Sequence, residues 1–410
     1  MFAPWFPPHR NSEGIVNGKL ALAFLKAGWG LDVIYSRPVE LPKEAEEVSF
    51  WAPLAGVSYS VPKKYPGSLG RMINRVSTIL RTGHMIKGLS WVQYAVKKAE
   101  ALSRLKHYDV ILSRSFPVQV HLAALLVAGK SRIPWVANWN EVEPGNRNPY
   151  PYGEGIDAPM GYFIGRFLRE IWTKADRHTF PSERAMRYMS SYMPGIGDKT
   201  SIIPHIALER TGESSNSLMR AHEKFTICHA GIFDGRRNPG PFFDALSRLC
   251  EKTTIRRDLV VKLLGYSYDG ANKPRVPENL QEIVTIQDWC NYEETLRELS
   301  QADVLLLIEG MVEEGIFLSG KFIDYVQCRK PILALSPTVG TVNDVMRVHG
   351  GGIVVDCSDA SQIATALERL YRVWQQNRLG ETYPTQGLLN LYGESTVIRL
   401  YKALFDRLGI

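Results

Sequence analysis

Residues Glu313 to Pro337 read EEGIFLSGKFIDYVQCRKPILALSP. The pattern is a helix delivered into a buried strand. Ser319 stands where an N-cap belongs, and Gly320 and Lys321 open the helix. Phe322, Ile323, Tyr325 and Val326 are its apolar positions. Arg329-Lys330-Pro331 ends it, and Ile332 to Leu335 suits a short buried strand. Backbone N–H groups at a helix start, with Lys321 beside them, attract an anion such as phosphate. Asp324 lies one turn into the helix, placed to accept hydrogen bonds from sugar hydroxyls. Gly315 to Lys321 also fits G-x-x-x-x-G-K, the opening of a P-loop. Phe322 stands where that loop needs Ser or Thr for magnesium, and the apolar run 304–308 ends well before the first glycine. The match is therefore set aside.

The chain has 410 residues, room for two domains with separate cores. Its net charge of +7 favours anionic partners such as nucleotides, phospholipid surfaces or nucleic acid. The five cysteines (Cys228, Cys250, Cys290, Cys328, Cys357) form no C-x-x-C pair. They indicate neither a zinc site nor a disulfide framework, and a reducing, cytoplasmic setting is expected. No apolar run reaches membrane-spanning length, and the start has no signal-peptide pattern. There is no H-E-x-x-H, no G-x-G-x-x-G and no D-x-D, so no metal site is expected.

Working outward to the N-terminus, Pro4 to Pro8 reads as a loop. Glu13 to Gly18 leads into a helix over Lys19 to Ala27, and Asp32 to Tyr35 is a strand. An α/β unit normally begins with a buried strand. The expectation is that the first strand is missing from the recorded start, or is as short as Met1 to Ala3. Residues 36–66 give little signal. From Ser68 to Lys106 the sequence is helical and basic. Arg71, Arg75, Arg81, Lys87, Lys97, Lys98, Arg104 and Lys106 face one acid, Glu100, with apolar residues from Leu69 to Trp91 interleaved. Two readings stand: a surface resting on an anionic membrane, or a solvated helical face over a core stripe.

Strands alternate with helices from Tyr108 onward. His121 falls in one of these helices and reads as a core or surface histidine. Ile133 to Ala137 runs into Asn138-Trp139-Asn140-Glu141, a polar strand end of the kind where ligands collect in parallel sheets. Asn146 to Gly155 is a candidate acceptor lid. A doubly wound domain over 1–205, a polar linker over 206–222 and a second such domain over 223–385 follow from the alternation. The segment 386–410 carries a final helix. In the second domain, strand Phe225 to Ala230 enters a turn holding Gly231, Arg236 and Arg237, before a helix from Pro241. Charge-assisted hydrogen bonds from such a turn to phosphate contribute on the order of 1.5–3 kcal/mol each. The plainer reading is a surface turn with solvated arginines.

Taken together these segments resemble glycosyltransferase family 4, over essentially the whole chain. FAPWFPP…EG looks like the family's loop after its first strand. HAGIFDGRRNPGPFFDAL is similar to the turn whose cation grips the donor diphosphate; Arg237 falls on that cation's place, and Ile232 replaces the family's preceding arginine. SGKFIDYVQCRKPILAL looks like S-x-K-x-F-E-Y-x-x-x-G-K-P-I-L-A. Asp324 stands at the second glutamate of the family's E-x7-E motif, and the first glutamate's place falls on Ile316. Ile283 to Trp289 is similar to the segment facing the nucleobase. IPWVANWNEV resembles P-W-V-A-D-F-R-D of the acceptor domain, with Asn138 and Glu141 at its two acids.

The resemblance implies an α/β GT-B fold, two doubly wound parallel-sheet domains facing a cleft, with the final helix crossing back to the first. It implies a retaining, metal-independent glycosyltransferase without cofactor, its nucleotide-sugar donor held by Gly231, Arg236, Arg237, Trp289, Ser319, Gly320, Lys321 and Asp324. A glycan or lipid-linked acceptor would meet Gly14, Ser115, Asn138 and Glu141. Arg237 and Lys321 would stabilise the leaving nucleotide. Glu141 would orient or deprotonate the acceptor hydroxyl, or be a structural strand-end carboxylate. The basic stretch 68–106 would hold the enzyme peripherally at the inner membrane face, and nucleic acid is not an expected partner. Two alternatives remain: a GT-B nucleotide-sugar epimerase, and a non-catalytic basic protein that binds membrane.

Overall fold

The computed structural model describes residues 1–9, 11–38, 48–64, 67–195, 197–209, 223–233, 236–266, 274–288 and 290–410. Trp289 and most of the linker lie outside the described residues. The chain divides into two units. The first comprises Met1–Asn148, Tyr152–Ile206 and Val397–Ile410, and the second Ala207–Thr396 with Pro149–Pro151.

The first unit runs α1 (Ser12–Lys26), β1 (Val33–Ser36), α2 (Val48–Trp51), β2 (Ser58–Val61), α3 (Ser68–Thr82), α4 (Leu89–Ser103), β3 (Ile111–Ser115), α5 (Val120–Ser131), β4 (Trp135–Trp139), α6 (Tyr162–Lys174), β5 (Arg177–Phe180), α7 (Glu183–Tyr192) and β6 (Thr200–Ile202). The parallel ladders β2-β1 and β3-β4-β5-β6 are joined by Phe2, which bridges both Ile34 and Ser113. The Phe2 N–H donates to Leu112 O at 2.8 Å, and the Ile34 N–H to Met1 O at 2.9 Å. Met1 to Ala3 thus fill the slot between β1 and β3, where an α/β unit places its first strand.

Helix α1 begins seven residues before the expected Lys19. Asn11 caps it, its Oδ1 accepting from Gly14 N at 2.7 Å. Gly14 and Gly18, read as part of the lead-in, are packing positions inside the helix. A Cβ on Gly14 would lie 2.5 Å from the His9 carbonyl, and one on Gly18 2.6 Å from Pro7 and Trp51. The core behind the sheet holds Trp91, Trp135, Trp139, Phe167 and Phe180. Buried His121 belongs to it, its Nδ1 2.8 Å from the Ser113 hydroxyl that also accepts from Trp135 Nε1 at 2.7 Å. Of the two readings His121 left open, core and surface, it takes the first.

The second unit runs β7 (Phe225–Ala230), α8 (Gly240–Lys252), β8 (Leu259–Tyr266), β9 (Val284–Asp288), α9 (Tyr292–Gln301), β10 (Val304–Ile308), α10 (Gly320–Cys328), β11 (Ile332–Ser336), α11 (Thr341–His349), β12 (Gly352–Asp356), α12 (Ala360–Gln375), α13 (Leu379–Thr382) and α14 (Gln386–Tyr392). A last helix, α15 (Glu394–Asp406), passes into the first unit from Val397. The sheet is parallel throughout, in the order β12-β11-β10-β7-β8-β9. Strand order therefore reverses between β7 and β10. In open parallel sheets that switch point, at the carboxyl ends of the strands, is where ligands bind.

Candidate active site

In the second unit the switch point is built as follows. The ladder between β7 and β10 covers only Ile227–Val304 and Cys228–Leu305. Beyond it, side chains take over. The Tyr325 hydroxyl, from α10, accepts from Ala230 N at 3.0 Å and donates to Leu306 O at 3.1 Å. His229 places Nδ1 2.8 Å from Leu306 O and Nε2 3.2 Å from Gly231 O. Burial, aided by the charges of Lys321 and Arg237, pushes the His229 pKa down to about 3, so the ring is neutral. It stacks on Phe233, with centroids 4.7 Å apart.

The chain then turns at Gly231, φ +118°, under the side chain of Lys321. Lys321 comes from the first turn of α10, so its ammonium, the α10 N-terminus and the backbone after β7 come together. Ser319 takes the N-cap position of α10, but its side chain makes no cap hydrogen bond. Arg237 is half-buried and close enough for its charge to act on both His229 and Glu309, whereas Arg236 is exposed. Asp324 is half-buried one turn into α10 and accepts from the Tyr292 hydroxyl at 2.7 Å. Burial and the adjacent Asp324 charge push the Tyr292 phenol pKa up. The place of the first motif glutamate is held by fully buried Ile316.

Glu309, at the end of β10, is the group the sequence reading passed over. Ser336 Oγ donates to its Oε2 at 2.5 Å. Loss of hydration pushes its pKa up to about 7, against the Ser336 hydrogen bond and the Arg237 charge. The available signal was a carboxylate closing the apolar run VLLLI at a strand's carboxyl end.

In the first unit, Ser115, Asn138 and Glu141 lie at or near the ends of β3 and β4. Ser115 is buried at the end of β3. Asn138 is buried within β4, its Nδ2 donating to Thr179 Oγ1 at 3.0 Å. Gly14 is buried in α1, and Glu141 is exposed just past β4. Around them is a polar network that sequence reasoning did not assign. Buried Arg114 donates to Asn17 Oδ1, to the Tyr401 hydroxyl at 3.1 Å and to Asn140 Oδ1 at 3.3 Å. Asn140 Nδ2 donates to Glu13 Oε2 at 2.7 Å. Burial and the Glu141 charge push the Glu13 and Glu143 pKa values up to about 8. A lone arginine inside the buried run ILSRS was the signal for this network.

Among the described residues, no group of three or more His, Cys, Asp or Glu is placed to hold a metal ion. None of the five cysteines is paired in a disulfide. No described helix is long and apolar enough to cross a membrane.

No family model matches the chain, and no curated protein matches it in sequence. Solved structures do match in fold. A glycosyltransferase from Rickettsia africae superposes with a TM-score of 0.66 at 11% identity, over 96% of this chain and 94% of that one. Anabaena Alr3699/HepE, in complex with UDP and glucose, gives 0.63 at 11% identity, over 96% and 95%. Sucrose-phosphate synthase from Thermosynechococcus elongatus gives 0.60 at 15% identity, over 96% and 92%. The fold of this chain is GT-B, two Rossmann-like domains with parallel sheets.

Proposed function

We propose that the chain is a retaining, metal-independent glycosyltransferase that moves a sugar from a nucleoside diphosphate sugar to a hydroxyl of a polysaccharide or lipid-linked acceptor. The observation that carries this reading is the Lys321 ammonium over the Gly231 backbone at the switch point, with Arg237 nearby. As the bond from the sugar's anomeric carbon to the diphosphate oxygen breaks, negative charge collects on the leaving diphosphate. Lys321, Arg237 and the Gly320 and Lys321 amides would hold that charge in a site shielded from water, where fixed charges act most strongly. Arg236 would add a solvated contact, and Asp324, positioned by Tyr292, would take the ribose hydroxyls. Glu141 is the candidate group for the acceptor hydroxyl, with Ser115 and Asn138 beside it.

The test is a calorimetric titration of the full chain with UDP, GDP and ADP, with and without EDTA. The expected result is micromolar binding of one nucleotide, insensitive to EDTA and weakened in Arg237→Ala and Asp324→Ala. Unchanged affinity in both variants would overturn the site assignment. Incubation with the matching nucleotide sugar separates transferase from epimerase, since only an epimerase gives an isomerised sugar nucleotide from donor alone.

A further inference from the structure

Helix α3 is mounted the wrong way round for a soluble protein. Its buried residues are Asn74 and Thr78, both polar. They bond to α4: Asn74 Nδ2 donates to Ser90 Oγ at 3.3 Å, and Gln93 Nε2 donates to Thr78 Oγ1 at 2.5 Å. Ile79 packs partly buried against the core, and the other apolar residues point outward. Leu69, Met72, Ile73, Val76 and Leu80 are between 51% and 81% exposed. At about 3.6 residues per turn these five form one stripe opposite Asn74 and Thr78, with Arg75 and Arg81 on its two borders. A surface helix normally buries its apolar stripe, so this one is unpartnered.

Its neighbour α4 is ordinary. Leu89, Trp91, Val92, Ala95, Ala99 and Leu102 are buried in the core, and Lys98 lies over the Tyr59 ring at 4.2 Å. Of the basic stretch 68–106, then, α4 is a solvated face over a core stripe, and α3 is not. The first turn of α6 adjoins the far end of α3, where the Arg166 guanidinium packs on Gly83, the α3 C-cap. That turn adds the exposed rings of Tyr162 and Phe163.

The charge around the stripe selects its partner. Residues 48–99 contain eight Lys and Arg and no Asp or Glu. A second copy packed two-fold on this stripe would set arginine borders against arginine borders. An apolar stripe edged by cations matches instead the interface of an anionic bilayer, where apolar side chains enter the acyl boundary and guanidinium groups meet phosphates. We infer that α3 is a membrane-docking helix, lying in the plane of an anionic lipid surface with Leu69, Met72, Ile73, Val76 and Leu80 inserted. The inference stands on α3 and its surroundings and not on the donor-site reading.

The test is co-flotation of the full chain with vesicles of phosphatidylcholine alone and of phosphatidylcholine with phosphatidylglycerol. The chain is expected to float with the anionic vesicles only, and less so at high salt. Met72→Gln with Val76→Gln, and separately Arg75→Gln with Arg81→Gln, should each weaken vesicle binding about tenfold or more. Both pairs are solvent-facing, so melting temperature and nucleotide binding should stay at wild-type values. If the apolar pair proves unstable, Val76→Gln alone serves. Val348→Gln, at an exposed valine of the second unit, is the control and should bind as wild type. Failure to float with anionic vesicles, equal binding to neutral ones, or full binding by the Met72/Val76 variant would overturn the inference. So would a dimer in light scattering that the same variant dissolves.

Discussion

The Lys321 side chain lies so close over Gly231 that a Cβ there would be 2.3 Å from both its Cε and its Nζ. Gly231 also has φ +118°, a region that side chains rarely enter. Gly231→Ala must therefore move the ammonium off the switch point as well as strain the turn. Loss of one charge-assisted hydrogen bond contributes about 1.5–3 kcal/mol, so nucleotide affinity is expected to fall at least about tenfold. Titration of the variant with the nucleotide that wild type binds checks this. An unchanged dissociation constant would mean that Lys321 plays no part in holding the donor.

Tyr325 replaces part of a β-ladder with one side chain. Its hydroxyl serves Ala230 N and Leu306 O, and the ring is fully buried. Tyr325→Phe leaves the Ala230 N–H without its hydroxyl partner in the interior, a loss of about 1–3 kcal/mol. Denaturant unfolding should show that loss with an unchanged slope. The same change removes a support of the turn that begins at Gly231, so weaker nucleotide binding should accompany it.

Much of this architecture was legible in the chain. Alternating apolar runs and capped helices marked both doubly wound domains. Ser182 caps α7, its hydroxyl accepting from Ala185 N at 3.1 Å. What escaped had physical reasons. Strand β2, SYSV, alternates polar and apolar residues on a sheet edge, with only Val61 buried, so its signal is weak. The start of α1 was hidden because its glycines serve close packing, which looks in a sequence like a turn. The outward face of α3 was invisible because a 3.6-residue period shows that a stripe exists and not which way it points. Glu309 and Arg114 matter through burial, and burial of a single charge is a property of the fold.

Arg114 ties β3 to α1, to Asn140 and to the last helix through Asn17, Asn140 and Tyr401. Lysine keeps the charge but lacks the planar fork that reaches three partners. Arg114→Lys is expected to destabilise the first unit by about 3 kcal/mol, given about 1.5–3 kcal/mol per charged hydrogen bond. Hydrogen exchange should show faster opening around Tyr401. Tyr401→Phe removes one of the three charged bonds and should cost about 1.5–3 kcal/mol.

Two sets of buried groups shape stability against pH in opposite directions. Burial lowers His121, His205 and His229 to about 3 and His178 to about 4. Below the ordinary histidine range the unfolded chain takes up these protons and the folded chain does not, so stability falls as pH drops from about 6.5 toward 3. Glu309 is raised to about 7, and Glu13 and Glu143 to about 8. For these the folded state holds protons that the unfolded state has lost, so stability falls as pH rises from about 4.5 toward 8. The expected profile is a maximum near pH 6 with a fall on both sides. Glu143→Gln removes one alkaline contribution while leaving a side chain that still accepts a hydrogen bond. The variant should be more stable than wild type at pH 8, on the order of 2–4 kcal/mol, and the gap should close toward pH 4.5. Melting curves of both proteins across that range check it; parallel curves would mean that the Glu143 carboxyl is ionised at its ordinary pKa in the folded chain.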